Sequence, residues 1–209
     1  MAFTVFSKTS RPYGSWMIQR RKLQYKNPWI EVYEDDVIRP DGNKGIHVFM
    51  SLKPGVSIFP LDSKGNVYLT KEFHYGVGKV TIEAVAGGVD KGEEFLQAAQ
   101  RELAEELGIK AQEWIDLGSS DPLTGYLHCP HKLYLARKLI FGKQNMEGSE
   151  SIESIKVSLA QAVEMVMASE ITNSISCALI LKAWQYLQQE QGTKNKKQRI
   201  RNKKRRRRN

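Results

Sequence analysis

No stretch of this 209-residue chain approaches the roughly 18 consecutive apolar residues of a membrane-spanning helix. The opening, MAFTVFSKTSRPYGSWMIQRR, lacks the continuous apolar segment and cleavage site of a secretory signal. Cysteine is scarce. Cys129 and Cys177 suit neither a disulfide framework nor a thiolate metal knuckle, so two reduced thiols in a cytoplasmic protein are expected. No internal repeat is visible. Most of the chain also lacks an excess of positive charge, although the whole carries +9. The final run KNKKQRIRNKKRRRRN, residues 194–209, holds eleven Lys and Arg and no acid; without it 21 basic residues face 23 acidic ones, a net of −2.

A run of like charges repels itself and buries nothing, so residues 191–209 are expected to form a disordered basic tail. Counterion release would let it hold nucleic acid or another polyanion without sequence preference. It interleaves no aromatic residues for base stacking.

What is present suits one domain with appendages: an N-terminal extension over 1–25, a domain over 26–190, then the tail. Hydrophobic residues make up 41% of the chain, enough for a sizeable core. Residues 1–25 show no clear period. From Trp29 the chain reads as strands at 29–37, 47–52, 56–59, 67–73 and 80–85, with Asp62-Ser-Lys-Gly65 as a turn. Further strands fall at 114–117, 132–139 and 152–157. Ser158 to Gln161 reads as a capping box opening a helix to about Met167. A last helix runs over 174–189, with Ile175, Ala178, Leu179, Leu181 and Trp184 on its apolar side. Strands, a central helix and two final helices imply a sheet covered by helices on both faces.

The central helix poses a conflict. In GGVDKGEEFLQAAQRELAEELGI, Asp90 and Glu93 read as a capping box and Gly108 as the stop. At about 100° per residue, Leu96, Ala99, Leu103 and Leu107 form one stripe, with Glu102 and Glu106 on its edge and Glu105 roughly 60° further round. Like charges at i, i+3 and i+4 repel, and they sit where the macrodipole favours cations. The only nearby base, Arg101, is adjacent to Glu102, and i,i+1 side chains do not face each other. Three glycines, Gly87, Gly88 and Gly92, form the entry loop. One reading is a solvated acidic face. The other is a half-shell for Mg²⁺, which takes carboxylate oxygens and shares its remaining sites with phosphate.

The spacing resembles the Nudix hydrolase box at every fixed element: Gly87, five residues, Glu93, seven residues, Arg101-Glu102-Leu103, one residue, Glu105-Glu106, one residue, Gly108-Ile109. The resemblance implies an α+β fold, an α/β/α sandwich of mixed β-sheet between helices with an N-terminal β extension. It implies hydrolysis of a nucleoside diphosphate linked to another moiety, with Mg²⁺ or Mn²⁺ as cofactor. Carried over by position, Glu102 and Glu106 are metal ligands, Glu105 is a ligand or water-positioner, and Glu93 and Arg101 brace the box. Gly87 and Gly88 let the backbone approach the substrate.

Beyond the box, residues 26–185 are most similar to the ADP-ribose pyrophosphatase branch, which has Glu-Leu-Pro-Ala-Gly before the box. Here the stretch is Glu83-Ala-Val-Ala-Gly87, with Val85 in place of proline. The resemblance gives Glu83 and the Ala86 carbonyl substrate or metal contacts. His74 stands where the branch commonly has arginine. Pro122 or Thr124-Gly125 answers to a later proline. Glu150, then Glu147, aligns with the water-activating acid, and Glu153 falls in the following strand. The branch also implies a homodimer with N-terminal strands at the partner's site, where Trp16 and Trp29 would pack. Two other functions remain open: an RNA-directed pyrophosphohydrolase recruited by the tail, and a module that binds ADP-ribose without cleaving it.

Overall fold

The computed structural model describes residues 10–143 and 152–206. Its centre follows from GVSIFP, the strand β5 (Gly55–Pro60), all of whose residues are buried. A strand buried on both faces belongs inside a sheet covered on each side. β5 pairs antiparallel with β8 (Val85–Gly88) and parallel with β11 (His131–Phe141), which pairs antiparallel with β9 (Ile109–Ser120). Val56, Ile58, Tyr134 and Ala136 pack toward helix α1 (Phe95–Leu107). The alternate residues Phe59, Leu133 and Leu135 pack toward α2 (Leu159–Met167) and α3 (Ser174–Arg206). This is the expected mixed sheet between helices.

Two further sheets flank it. One joins β12 (Glu153–Ser158), β6 (Asn66–His74) and β7 (Lys79–Glu83), all antiparallel. The other runs β1 (Arg11–Tyr13), β2 (Trp16–Lys26), β3 (Ile30–Ile38), β4 (Lys44–Leu52) and β10 (Leu127–His128). No helix among the described residues is long and apolar enough to cross a membrane.

Local chemistry places several boundaries as the sequence implied. Gly65 N–H donates to the Asp62 carbonyl at 3.2 Å, and Gly65 adopts the φ of +82° that glycine tolerates. The α2 box is reciprocal, with Gln161 N–H on Ser158 Oγ at 3.1 Å and Ser158 N–H on Gln161 Oε1 at 2.9 Å.

Other expectations are corrected. β2 lies in a stretch without visible period because two register shifts, at Ile18/Arg20 and Leu23/Tyr25, interrupt its alternation. Helix α1 is capped at Glu94, not Asp90. Gly92, with φ +85°, turns the chain before the helix begins. Gly87 and Gly88 lie in β8 rather than in a loop. On α1, Leu96 is exposed while Ala98 and Glu106 are buried. On α3, Leu181 is exposed and Ile180, Ala183 and Leu187 are buried instead. That helix continues to Arg206, past the expected end near Gln189. Lys, Arg and Gln are good helix formers, and Arg137 on β11 ties Glu190 to Glu113 where α3 leaves the core.

Candidate active site

The strand β8 and the helix α1 meet at Gly87 and Glu102. A Cβ on Gly87 would overlap the Glu102 carboxyl group, so any larger residue there would displace that side chain from its present position. Ala86, paired with Ser57, is exposed one residue earlier. Glu106 falls between Leu103 and Leu107 and is itself buried at 9% exposure. The buried face of α1 therefore includes this acid rather than bordering it.

Arg101 organises the remaining acids. Its Nε and Nη2 donate to Glu93 Oε1 and Oε2, both at 3.0 Å. Nη1 donates to Glu102 Oε1 at 2.7 Å and to Glu105 Oε2 at 3.1 Å. Nη2 also donates to the Gly88 carbonyl at 2.9 Å. Adjacency on the helix does not keep Arg101 from Glu102, because a long guanidinium can turn along the axis and reach i+1 and i+4 together. The fork to Glu93 above all, then Glu102 and Glu105, raises the Arg101 pKa against the opposing effect of burial. Glu93 is lowered by Arg101 and by the Asp90 N–H. The conflict at the end of α1 is thus relieved in part by a cation from its own middle. Gly108 closes the helix at φ +63°, its N–H on the Ala104 carbonyl at 3.0 Å.

Among the described residues, no three His, Cys, Asp or Glu side chains are gathered as a complete metal site. The donor set nevertheless suits a hard divalent cation. It consists of carboxylates on one helix facing a strand where a Cβ is excluded, and Mg²⁺ ordinarily uses one or two carboxylates and completes its shell with phosphate.

A second cluster sits on the β6–β7 hairpin. Thr81 Oγ1 lies 2.7 Å from Glu83 Oε1 and 2.9 Å from His74 Nδ1. The structure therefore joins Glu83 and His74 through a residue that sequence reasoning did not single out. The strand period offered a signal, since Thr81 and Glu83 at i, i+2 share a face. Ala84 N–H, at the break between β7 and β8, donates to the buried Ser176 Oγ at 3.0 Å. Glu147 and Glu150 lie outside the described residues.

A cavity of about 560 Å³ is lined by the N-terminal sheet and residues 121–128. His47 lies between Trp16, tilted at 5.7 Å between centroids, and Tyr126, stacked at 6.1 Å. Beside them the buried Asp35 accepts two hydrogen bonds from Arg21, at 2.8 and 2.7 Å. Thr124 and Gly125 line the same cavity, whereas Pro122 does not. Bonds from Gly55 N–H to the Pro130 carbonyl and from Val89 N–H to the Pro54 carbonyl connect this wall to the turn before α1. Both cysteines are free thiols, raised by burial, which is the opposite of an activated nucleophile.

Comparison with known proteins fits this geometry. Residues 51–171 match the family model described as NUDIX domain, more than half of the chain. Residues 21–48 match the nucleoside diphosphate sugar hydrolase N-terminal domain. The chain is 26% identical to an ADP-ribose pyrophosphatase of Bacillus subtilis, over 76% of this chain and 85% of that protein. It is 29% identical to an ADP-ribose pyrophosphatase of Mycobacterium tuberculosis, over 70% and 72% respectively. A crystal structure of an ADP compounds hydrolase shares the fold, with a TM-score of 0.74 at 17% identity, covering 87% of this chain and 98% of the other.

Proposed function

The chain belongs to the NUDIX domain family, and from that premise we propose that it hydrolyses the diphosphate of ADP-ribose or another nucleotide sugar, with Mg²⁺ or Mn²⁺ as cofactor. The products are a nucleoside monophosphate and a sugar phosphate. The observation that carries this reading is the junction of Gly87 with Glu102, locked by Arg101 across Glu93, Glu105 and the Gly88 carbonyl. Support for a nucleotide sugar comes from the match of residues 21–48 to an N-terminal domain of that description.

Glu102 and Glu106, with Glu105 and the Ala86 carbonyl, would hold the metal. When bound, a divalent ion neutralises diphosphate charge and makes a water nucleophilic near neutral pH. The chain's own part is positioning. Arg101 keeps Glu102 and Glu105 oriented, and Gly87 keeps the strand clear of Glu102. Glu83 accepts hydrogen bonds from the sugar side of the substrate, with the His74 ring beside it. Glu150 or Glu147 takes the proton from the attacking water. The ring-lined cavity suits a nucleobase, which stacks on aromatic faces. Exposed Ile46 and Val48 on the N-terminal sheet and Trp29 in its β2–β3 turn support a homodimer formed through that sheet.

Product analysis with Mg²⁺ and a panel of ADP-ribose, ADP-glucose, GDP-mannose, NADH and capped or triphosphorylated RNA tests the reading. AMP plus ribose 5-phosphate from ADP-ribose is expected. Activity on RNA alone, lost on deleting residues 194–209, would overturn it.

A further inference from the structure

Between His74 and Glu83, the hydroxyl of Thr81 has two neighbours and one hydrogen. Glu83 Oε1, at 2.7 Å, is a carboxylate oxygen that only accepts, so the hydroxyl hydrogen points there. The Thr81 oxygen must then accept from His74 Nδ1 at 2.9 Å. A second contact demands the same tautomer, because the Glu72 carbonyl, 3.3 Å from Nδ1, also only accepts. Nδ1 therefore carries a hydrogen. His74 Nε2 lies 3.8 Å from Glu83 Oε1, too far for a hydrogen bond of its own.

This chain of bonds runs from solvent inward. The His74 side chain is 41% exposed and that of Glu83 13%, while Thr81 is buried. Glu83 is also held by its backbone, since Thr70 Oγ1 donates to the Glu83 carbonyl at 3.3 Å. The next residue, Ala84, is pinned to Ser176 at 3.0 Å. Fixed on three sides, the Glu83 carboxylate has Oε1 taken by Thr81. Oε2 has no hydrogen-bond partner among the described residues.

We propose that Thr81 is a positioning residue that aims the Glu83 carboxylate at the substrate, and that His74 orients Thr81 by donating from Nδ1. The proposal rests on Glu83 contacting the substrate of the reaction assigned above. Its consequence is chemical: with Oε1 satisfied by Thr81, Oε2 is left to accept from a donor such as a sugar hydroxyl. A buried threonine fixes that direction more tightly than a free side chain would.

Two measurements on the full chain decide it. The first is the imidazole ¹⁵N spectrum, with His74 identified by His74→Asn. Neutral His74 should show a protonated Nδ1 in the wild type and lose this preference in Thr81→Val. A wild-type ring protonated only at Nε2 would overturn the hydrogen-bond chain, whatever the enzyme hydrolyses. The second is steady-state hydrolysis of ADP-ribose. Thr81→Val should raise KM about tenfold with kcat within about twofold, a loss of uniform binding, and Thr81→Ser should restore it. In the Glu83→Gln background, Thr81→Val should add little. Unchanged KM in Thr81→Val, or full additivity with Glu83→Gln, would overturn the positioning role. A wild type that hydrolyses no nucleotide sugar would remove the substrate role together with the reaction, and the spectrum would still judge the bonding.

Discussion

Gly87 and Glu102 are in contact across the strand–helix junction so closely that the smallest side chain on Gly87 would occupy the space of the Glu102 carboxyl group. Gly87→Ala must therefore push Glu102 aside. Because displacement of about 1 Å at a reacting centre can cost on the order of 100-fold, kcat/KM should fall by roughly that factor while far-UV circular dichroism is retained. Activity within twofold of wild type would show that this approach does not position Glu102.

Arg101 makes five hydrogen bonds, to Glu93, Glu102, Glu105 and the Gly88 carbonyl. Lysine keeps the charge but not the planar fork. Arg101→Lys should lower stability by about 1–3 kcal/mol, read by urea unfolding, and should reduce kcat about tenfold. An unchanged unfolding midpoint would mean that the charge alone suffices.

Asp62 gives the clearest dependence on pH. Burial would raise its pKa, but hydrogen bonds from the Asn66 side chain, the Asn66 and Lys64 N–H groups and Tyr68 Oη lower it from 3.8 to about 2. A carboxylate depressed in the folded state contributes stability above its unfolded pKa and loses it as pH falls through the folded value. Between about pH 5 and 2 the wild type should therefore lose about 2 kcal/mol more than Asp62→Asn. Parallel curves in urea titrations across that range would contradict the assignment.

The basic run at the C-terminus should be separable from hydrolysis. Deleting residues 194–209 removes eleven positive charges, and with them any salt-sensitive binding to polyanions. Turnover of ADP-ribose should stay within about twofold. A tenfold loss would show that the run serves the small-molecule site.

How much of this was legible in the sequence depends on which physical signal each part leaves. The box was readable because its chemistry is local. Gly87, Arg101 and the three acids sit at fixed separations along one strand and one helix. The core strand β5 was readable as a short apolar run. The reach of Arg101 to Glu102 was misjudged because helical spacing rules describe Cβ positions, not a guanidinium at the end of a flexible stem. The Asp90 box failed because Gly92, with φ +85°, breaks the helix before it starts. Glu93 Oε2 still accepts from Asp90 N–H at 3.0 Å, so the side-chain half of the motif survives without the helix. β2 was hidden by bulges that break its alternation. The Thr81 bridge was missed because it depends on the pairing of Glu72 with Thr81 across β6 and β7, and register is a tertiary fact.

The account turns on Glu106, buried in the face of α1 among leucines. Turnover of ADP-ribose with saturating Mg²⁺, compared between wild type and Glu106→Gln at equal folded fraction, tests it most directly. A fall of at least about 100-fold in kcat is expected for loss of a group that stabilises developing charge. Equal turnover in the two proteins would contradict the assignment of the α1 carboxylates as the seat of diphosphate hydrolysis.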